Sequence, residues 1–209
     1  MRIVAISDTH LQHLRYSIKV PEGDLLIHSG DALNSGNAGD LAPFSSWFGG
    51  LPHKRKIFVA GNHDRVFEKN PTFARAGLPK GVIYLQDDQV EIDGFKIYGA
   101  PWQPEFLGWA FNLSRGGALR EKWDKIPDGI DILITHGPPF GILDRTIEGE
   151  YVGCEELLEA VKRVKPKVHI FGHIHHGYGR KVVDGTLFVN AATCGEDYVP
   201  SHPPIVIDL

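Results

Sequence analysis

A mixed α/β (α+β) fold, with two β-sheets packed as a sandwich and flanked by helices, is what this 209-residue chain predicts. Three observations carry that expectation: short apolar runs that recur along the chain, two hairpin signals, and helical segments set between them.

The runs are the strongest signal. "RIVAI" precedes "SDTH", "DLLIH" precedes "SGD", "KIFVA" precedes "GNHD", "DILIT" precedes "HGPP", and "KVHIF" precedes "GHIHHG". Apolar-rich runs of this length, bounded by Gly, Asp or Pro, fit strands buried on both faces. "VEIDGFKIYG" and "VVDGTLFVN" each centre on Asp-Gly. That dipeptide marks a hairpin, because a type I′ turn needs positive φ at both central residues. "EELLEAVKRVK" has apolar residues at helical spacing, acids in its first turn, bases in its last, and Pro166 just beyond, so it predicts a helix. A weaker helical pattern surrounds "DLAPFSSWFGG", and residues 101–123, rich in Trp, Phe, Gly and Pro, show no period that assigns them. No linker or repeat interrupts the chain, so residues 1–209 are expected to form one domain.

Composition narrows the function. A net charge of −4 argues against a large phosphate-neutralising surface, so duplex nucleic acid is not an expected partner. Small anionic ligands stay open, because a metal ion supplies local positive charge that a side-chain count misses. No stretch approaches the roughly 18 apolar residues of a membrane span, and "MRIVAISD" reads as a core strand, not a signal peptide. A cytoplasmic protein with no membrane partner is expected. Cys154 and Cys194 form no C-x-x-C motif and are expected to be reduced, buried thiols. Nothing in the sequence fixes the oligomeric state.

The chemistry gathers where the runs end: Asp8 and His10, Asp31, Asn62 and His63, His136, then His173 and His175. In an extended chain residues i and i+2 point the same way, so Asp8 with His10, and His173 with His175, are each expected to present a pair of ligands to one place. His176 falls between and should point elsewhere. Imidazole, carboxylate and one amide oxygen suit Mn, Fe or Zn better than Ca or Mg. Asp8, His10, Asp31, Asn62, His136, His173 and His175 are more ligands than one ion normally uses. Two ions sharing a carboxylate would use them all, and two-metal sites are a standard device for in-line displacement at phosphorus. Taken singly, each residue has a structural reading as a cap, turn or loop residue. Recurrence at five strand ends is what favours the metal site.

These residues carry a resemblance. "D-x-H" at Asp8–His10, "GD" at Gly30–Asp31, "GNHD" at Gly61–Asp64, "H" before "GPP" at His136 and "GHIH" at Gly172–His175 resemble the signature of calcineurin-like metallophosphoesterases, in the family's order. "IYGAPW", "FNLSRG", "IDILITHGPP", "VGCEELL", "NAATC" and "PPIVIDL" are similar to its metallophosphoesterase-domain-containing subgroup, over nearly the whole chain. Some animal members have glycine where this chain has His173; the histidine here implies a complete binuclear site. The resemblance implies that Asp8, His10 and His175 hold one metal, that Asn62, His136 and His173 hold the second, and that Asp31 bridges. It also implies a double-sandwich fold and His63 as the general acid.

The resulting expectation is a binuclear metal-dependent phosphodiesterase acting on small phosphodiesters, nucleotide diesters including 2′,3′-cyclic nucleotides among them. Two divalent ions, with manganese expected and iron or zinc also suited, would share a hydroxide delivered in line with the leaving oxygen, and His63 would supply the proton. Asp64 is expected either to orient His63 or to be a solvated turn carboxylate. Asn62 and Arg115 are the candidate substrate contacts, and Arg115 is the best single cation for a phosphate. Trp102, Phe106 or Trp109 would either stack a base or close the core. His13 is left an outer position near the metals; His28, His53 and His202 are given no role. A phosphomonoesterase or nuclease on the same site, or a non-catalytic scaffold, are the alternatives.

Overall fold

The computed structural model describes residues 1–209. Its strands are β1 (Arg2–Ile6), β2 (Leu25–His28), β3 (Arg55–Phe58), β4 (Val82–Tyr84), β5 (Asp88–Ile92), β6 (Phe95–Ala100), β7 (Gln103–Pro104), β8 (Asn112–Leu113), β9 (Ile132–Thr135), β10 (Val168–Phe171), β11 (Gly179–Val183), β12 (Thr186–Asn190) and β13 (Ile205–Asp208). The helices are α1 (Ala38–Gly50), α2 (Arg65–Lys69), α3 (Pro71–Ala76), α4 (Gly117–Trp123) and α5 (Glu155–Val164).

Two large sheets result, ordered β13-β1-β2-β3-β4 and β11-β12-β10-β9-β6-β5. Strands β1 to β4 are mutually parallel, as are β12, β10, β9 and β6, while β13, β11 and β5 add antiparallel edges. The apolar runs are buried on both faces because each sheet lies between the other sheet and a helical layer. Alternation along β1 shows this: Ile3 and Ala5 pack between the sheets with Ile134 and Ile170, and Val4 and Ile6 pack outward with Phe44 and Phe48 of α1. The other outer layer sets Leu119 and Trp123 of α4 and Leu157 and Val161 of α5 against Tyr98, Leu133 and Phe171. Fully burying each of Phe44 and Phe48 contributes about 1.5–3 kcal/mol.

Both Asp-Gly hairpins form. Asp93 and Gly94 join β5 to β6 with φ 51° and 81°, and Asp184 and Gly185 join β11 to β12 with φ 48° and 85°. Helix α5 occupies the stretch its sequence marks; the Cys154 sulfur accepts from the Leu157 N–H at its start, and Lys165 closes it in the left-handed region. Both cysteines are buried and unpaired. Residues 101–123 hold only the β7–β8 pair and α4 besides loop. No helix is long and apolar enough to cross a membrane.

The parallel strands of both sheets end on one side of the molecule. There a bridge from Ser7 to Ala192 joins the sheets, and the Gly172 N–H bonds the His136 carbonyl. The loops leaving β1, β2, β3, β9 and β10 meet at this junction.

Candidate metal centre

The five loops bring the metal-competent residues into three overlapping groups whose ligand atoms lie within 4.8 Å of one another: Asp8, His10 and His175; His10, Asp31 and His63; Asp31, His136 and His173. Asp31 sits between. Its Oδ2 is 3.9 Å from His10 Nε2 and 4.0 Å from His63 Nε2, and its Oδ1 is 3.3 Å from His136 Nε2. Asp8 Oδ1 is 3.5 Å from His175 Nε2. Asn62 Oδ1 is 2.9 Å from His136 Nε2.

The grouping corrects the two-residue alternation. Asp8 and His10 do converge, but His173 and His175 part: His175 joins Asp8, and His173 joins His136. The reason is that these residues lie beyond the strand ends. Asp8, His10, Asp31 and His173 have φ of 51°, 43°, 54° and 69°, and His175 opens a short 3₁₀ turn. Extended-chain geometry therefore does not apply to them. Left-handed backbone at non-glycine residues costs about 1–3 kcal/mol each and clusters at functional sites. His176 is exposed, outside every group, with its N–H on Glu196.

Close approach is what the neighbouring glycines permit. A Cβ at Gly172 would lie 2.0 Å from Asp8 Oδ2, and one at Gly30, where φ is +112°, would lie 2.3 Å from His136 Nδ1.

The donor set suits a cation. His136 Nδ1 is 3.0 Å from the Ser29 carbonyl and His175 Nδ1 is 2.9 Å from the Gly195 carbonyl. A carbonyl only accepts, so each Nδ1 carries the proton, and each Nε2 turns its lone pair on carboxylate and amide oxygens. Acceptors facing acceptors need a cation or an extra proton between them. Burial lowers the proton affinity of both rings, but Asp31 beside His136, and the Asp8 bond to His175, outweigh it and push each up to about 9. A proton thus fills the place a metal ion would take. His10, 2% exposed, has no hydrogen-bond partner for either ring nitrogen, and burial holds it down at about 4. Burial likewise holds His173 at about 3. Neutral imidazoles are what a metal ligates. Burial alone would raise Asp8 and Asp31, yet the His175 bond to Asp8 and the nearness of His136 to Asp31 hold both carboxyls below the usual range.

A family model described as calcineurin-like phosphoesterase matches residues 1–177. The chain belongs to the calcineurin-like phosphoesterase family. Among similar proteins, the human and mouse proteins called Metallophosphoesterase domain-containing protein 1 are each 46% identical across all of this chain and 71% of their own length. The solved structure of TT1561 from Thermus thermophilus shares the fold, with a TM-score of 0.60 at 14% identity over 90% of this chain and 88% of that one. The calcineurin-like phosphoesterase family is metal-dependent, and the groups above are the candidate ligands here.

Other sequence-selected residues fall differently. Asp64 neither orients His63 nor meets solvent. It is fully buried, accepts from the Gly61 N–H at 2.7 Å and the Leu33 N–H at 2.9 Å, and ties two site loops together. Burial, then the nearby Asp31, pushes its carboxyl up to about 7. His63 is held instead by the Asn34 carbonyl, 2.5 Å from Nδ1. His13 stacks on Trp47 of α1, with ring centroids 4.5 Å apart, and takes no part in the three groups. Trp102 closes the core, its Nε1 bonded to Asp87 and its ring under Lys122. Trp109 stacks on His63, and Phe106 lies edge-on to His173 at 6.4 Å.

Arg115 lines a cleft of about 580 Å³ beside His173 and His175. Its guanidinium is bonded to the Gly153 and Val152 carbonyls and to Glu155. Tyr198, with φ 59°, stands edge-on to His10 at 4.8 Å and near His175 at 5.4 Å. Tyr198 and Asn34 are not legible as site residues in the sequence, because a lone tyrosine in a loop and a backbone carbonyl leave no pattern.

Proposed function

We propose that this chain is a two-metal phosphodiesterase acting on small phosphodiesters, nucleotide diesters including 2′,3′-cyclic nucleotides among them. In this reading Asp8, His10 and His175 hold one divalent transition-metal ion, Asn62, His136 and His173 a second, and Asp31 spans both. Manganese is the expected ion; iron and zinc suit the same donors. Bound cations supply Lewis acidity, which acidifies water and offsets charge on phosphoryl oxygens. The chain's own residues orient and protonate. The Ser29 and Gly195 carbonyls fix the ring planes of His136 and His175. His63, with Nδ1 on the Asn34 carbonyl, turns Nε2 toward the site and protonates the leaving alkoxide, a contribution of about 10²–10⁴-fold.

The charge of the cleft carries the preference for diesters. Glu105, Glu148, Glu150 and Glu196 line it, and its single arginine, Arg115, already meets two carbonyls and a carboxylate. A monoester dianion meets more repulsion there than a diester monoanion, and a polymer with many phosphates meets more still. Arg115 then offers fixed positive charge from the wall, and Phe106, 51% exposed, offers a flat face to a base.

The test is hydrolysis of a matched panel by protein stripped of metal and reloaded with manganese: bis-p-nitrophenyl phosphate, p-nitrophenyl phosphate, and 2′,3′- and 3′,5′-cyclic nucleotides. Diester turnover well above monoester turnover is expected. The reverse order would make the chain a phosphomonoesterase. No turnover with two metals bound would make it a scaffold or direct the search outside nucleotides.

A further inference from the structure

Trp109 belongs to none of the three apolar cores, although it is half-buried. Its indole stacks on the His63 ring at 4.0 Å with an interplanar angle of 23°, and the Arg65 guanidinium lies 4.3 Å from the indole centroid. The loop that carries it is fixed to the site. The Ala110 N–H donates to the Asn62 carbonyl at 3.2 Å, and the Phe111 N–H donates to Glu68 of α2 at 2.7 Å. Leu107 and Phe111 are held in the left-handed region, at φ 47° and 57°. A loop that merely covered the fold would not need such backbone at both ends of one tryptophan.

We infer that Trp109 is the positioning residue for His63, the wall that holds the ring in the plane from which Nε2 delivers its proton. The inference rests on the reading of His63 as proton donor. One hydrogen bond, from Nδ1–H to the Asn34 carbonyl, is kept both by the doubly protonated ring that donates from Nε2 and by the neutral ring left afterwards, but it leaves the ring free to pivot about that bond. Ring contacts remove that freedom: Trp109 face-on at 4.0 Å, His10 edge-on at 4.7 Å and 78°, and, more distantly, Tyr198 tilted at 6.3 Å. His10 belongs to the metal-competent groups, so Trp109 is the part of the clamp that can be changed without touching a candidate ligand. A misplacement of about 1 Å at a reacting group can lower turnover by about 10²-fold.

Two readouts test this in Trp109→Ala and Trp109→Phe. The first is the histidine ring spectrum of the metal-free protein by carbon–proton correlation, with the His63 signal identified by its loss in His63→Ala. Stacking on indole should shift that signal upfield in the unsubstituted protein. It should return toward the free-imidazole position in Trp109→Ala and largely recover in Trp109→Phe. The second compares manganese-loaded enzymes on a diester with an alkoxide leaving group and on bis-p-nitrophenyl phosphate. Trp109→Ala should lose about 10–10²-fold in kcat on the first and little on the second, with KM and metal content unchanged; the phenylalanine variant should recover most of the loss.

An unmoved His63 signal, or an equal loss on both diesters, overturns the role of Trp109. If His63→Ala shows leaving-group dependence while Trp109→Ala does not, Trp109 falls and the proton donor stands. If His63→Ala shows none, the proton donor falls and the inference with it.

Discussion

His169 is fully buried under the site and makes the fold sensitive to acid in a way that can be worked out. Its Nε2 lies 2.9 Å from Thr135 Oγ1, and that hydroxyl donates to the Gly137 carbonyl at 2.7 Å. The hydroxyl hydrogen being used, Thr135 must accept, so Nε2 carries the proton and Nδ1 is bare. Nδ1 has no partner, and the rings of Phe171 and Phe188 stand 5.0 and 5.7 Å away. A second proton would sit on Nδ1 with nothing to receive it, and burial drives the group from 6.5 down to about 3. The unfolded chain therefore binds the proton more tightly. Stability from this group is complete above the unfolded value of 6.5, falls as pH drops below it, and levels off below about 3.

Between about pH 7.5 and 5 the loss from His169 comes to about 2 kcal/mol, from a slope approaching about 1.4 kcal/mol per pH unit. His169→Gln keeps an N–H for Thr135 and does not titrate. Urea unfolding of both metal-free proteins at the two pH values should show a drop about 2 kcal/mol smaller in the variant, since the other titrating groups cancel in the difference. Parallel pH dependences would refute the argument and mean that the unprotonated site relaxes or hydrates. Thr135 precedes His136, so this brace also sets where a candidate ligand leaves the sheet.

Three further outcomes are expected. Asn62→Ala removes an oxygen 2.9 Å from His136 Nε2; it should weaken one metal equivalent and lower turnover by about 10–10²-fold, read by metal analysis and kinetics together, and unchanged values would take Asn62 out of the site. Gly172→Ala sets a Cβ 2.0 Å from Asp8 Oδ2 and 2.2 Å from Ser7 Oγ, so calorimetry should find a lowered Tm and titration a weakened metal; an unaffected protein would mean the Asp8 loop is not fixed. His176→Ala should leave metal content and turnover within about twofold, because the side chain is exposed and outside the three groups; loss of a metal would place it among the ligands.

Patterns that arise within a few residues of one another were legible in the sequence. Most strands of both sheets read as runs bounded by turns, although β4 and β13 gave no such signal, the two Asp-Gly hairpins follow from φ alone, and α5 carries its own start and stop. The candidate ligands were legible as a group too, because each falls at the end of an apolar run. What only the tertiary structure decided is which of them meet. His173 and His175, two apart, serve different groups, whereas His175 meets Asp8 from the far end of the chain. Left-handed backbone beyond each strand end aims these side chains, and no local period encodes it. Asp64 reads in sequence as an orienter of His63 or a solvated turn carboxylate but is buried as a tie between loops, and Trp109 reads as a base-stacking face or as core but stacks on His63. Local sequence sets the backbone preference of each segment, while the partner of a side chain leaving a strand end depends on how the sheets stack. That stacking is fixed only when Ile3, Ala5, Ile134 and Ile170 close the space between them.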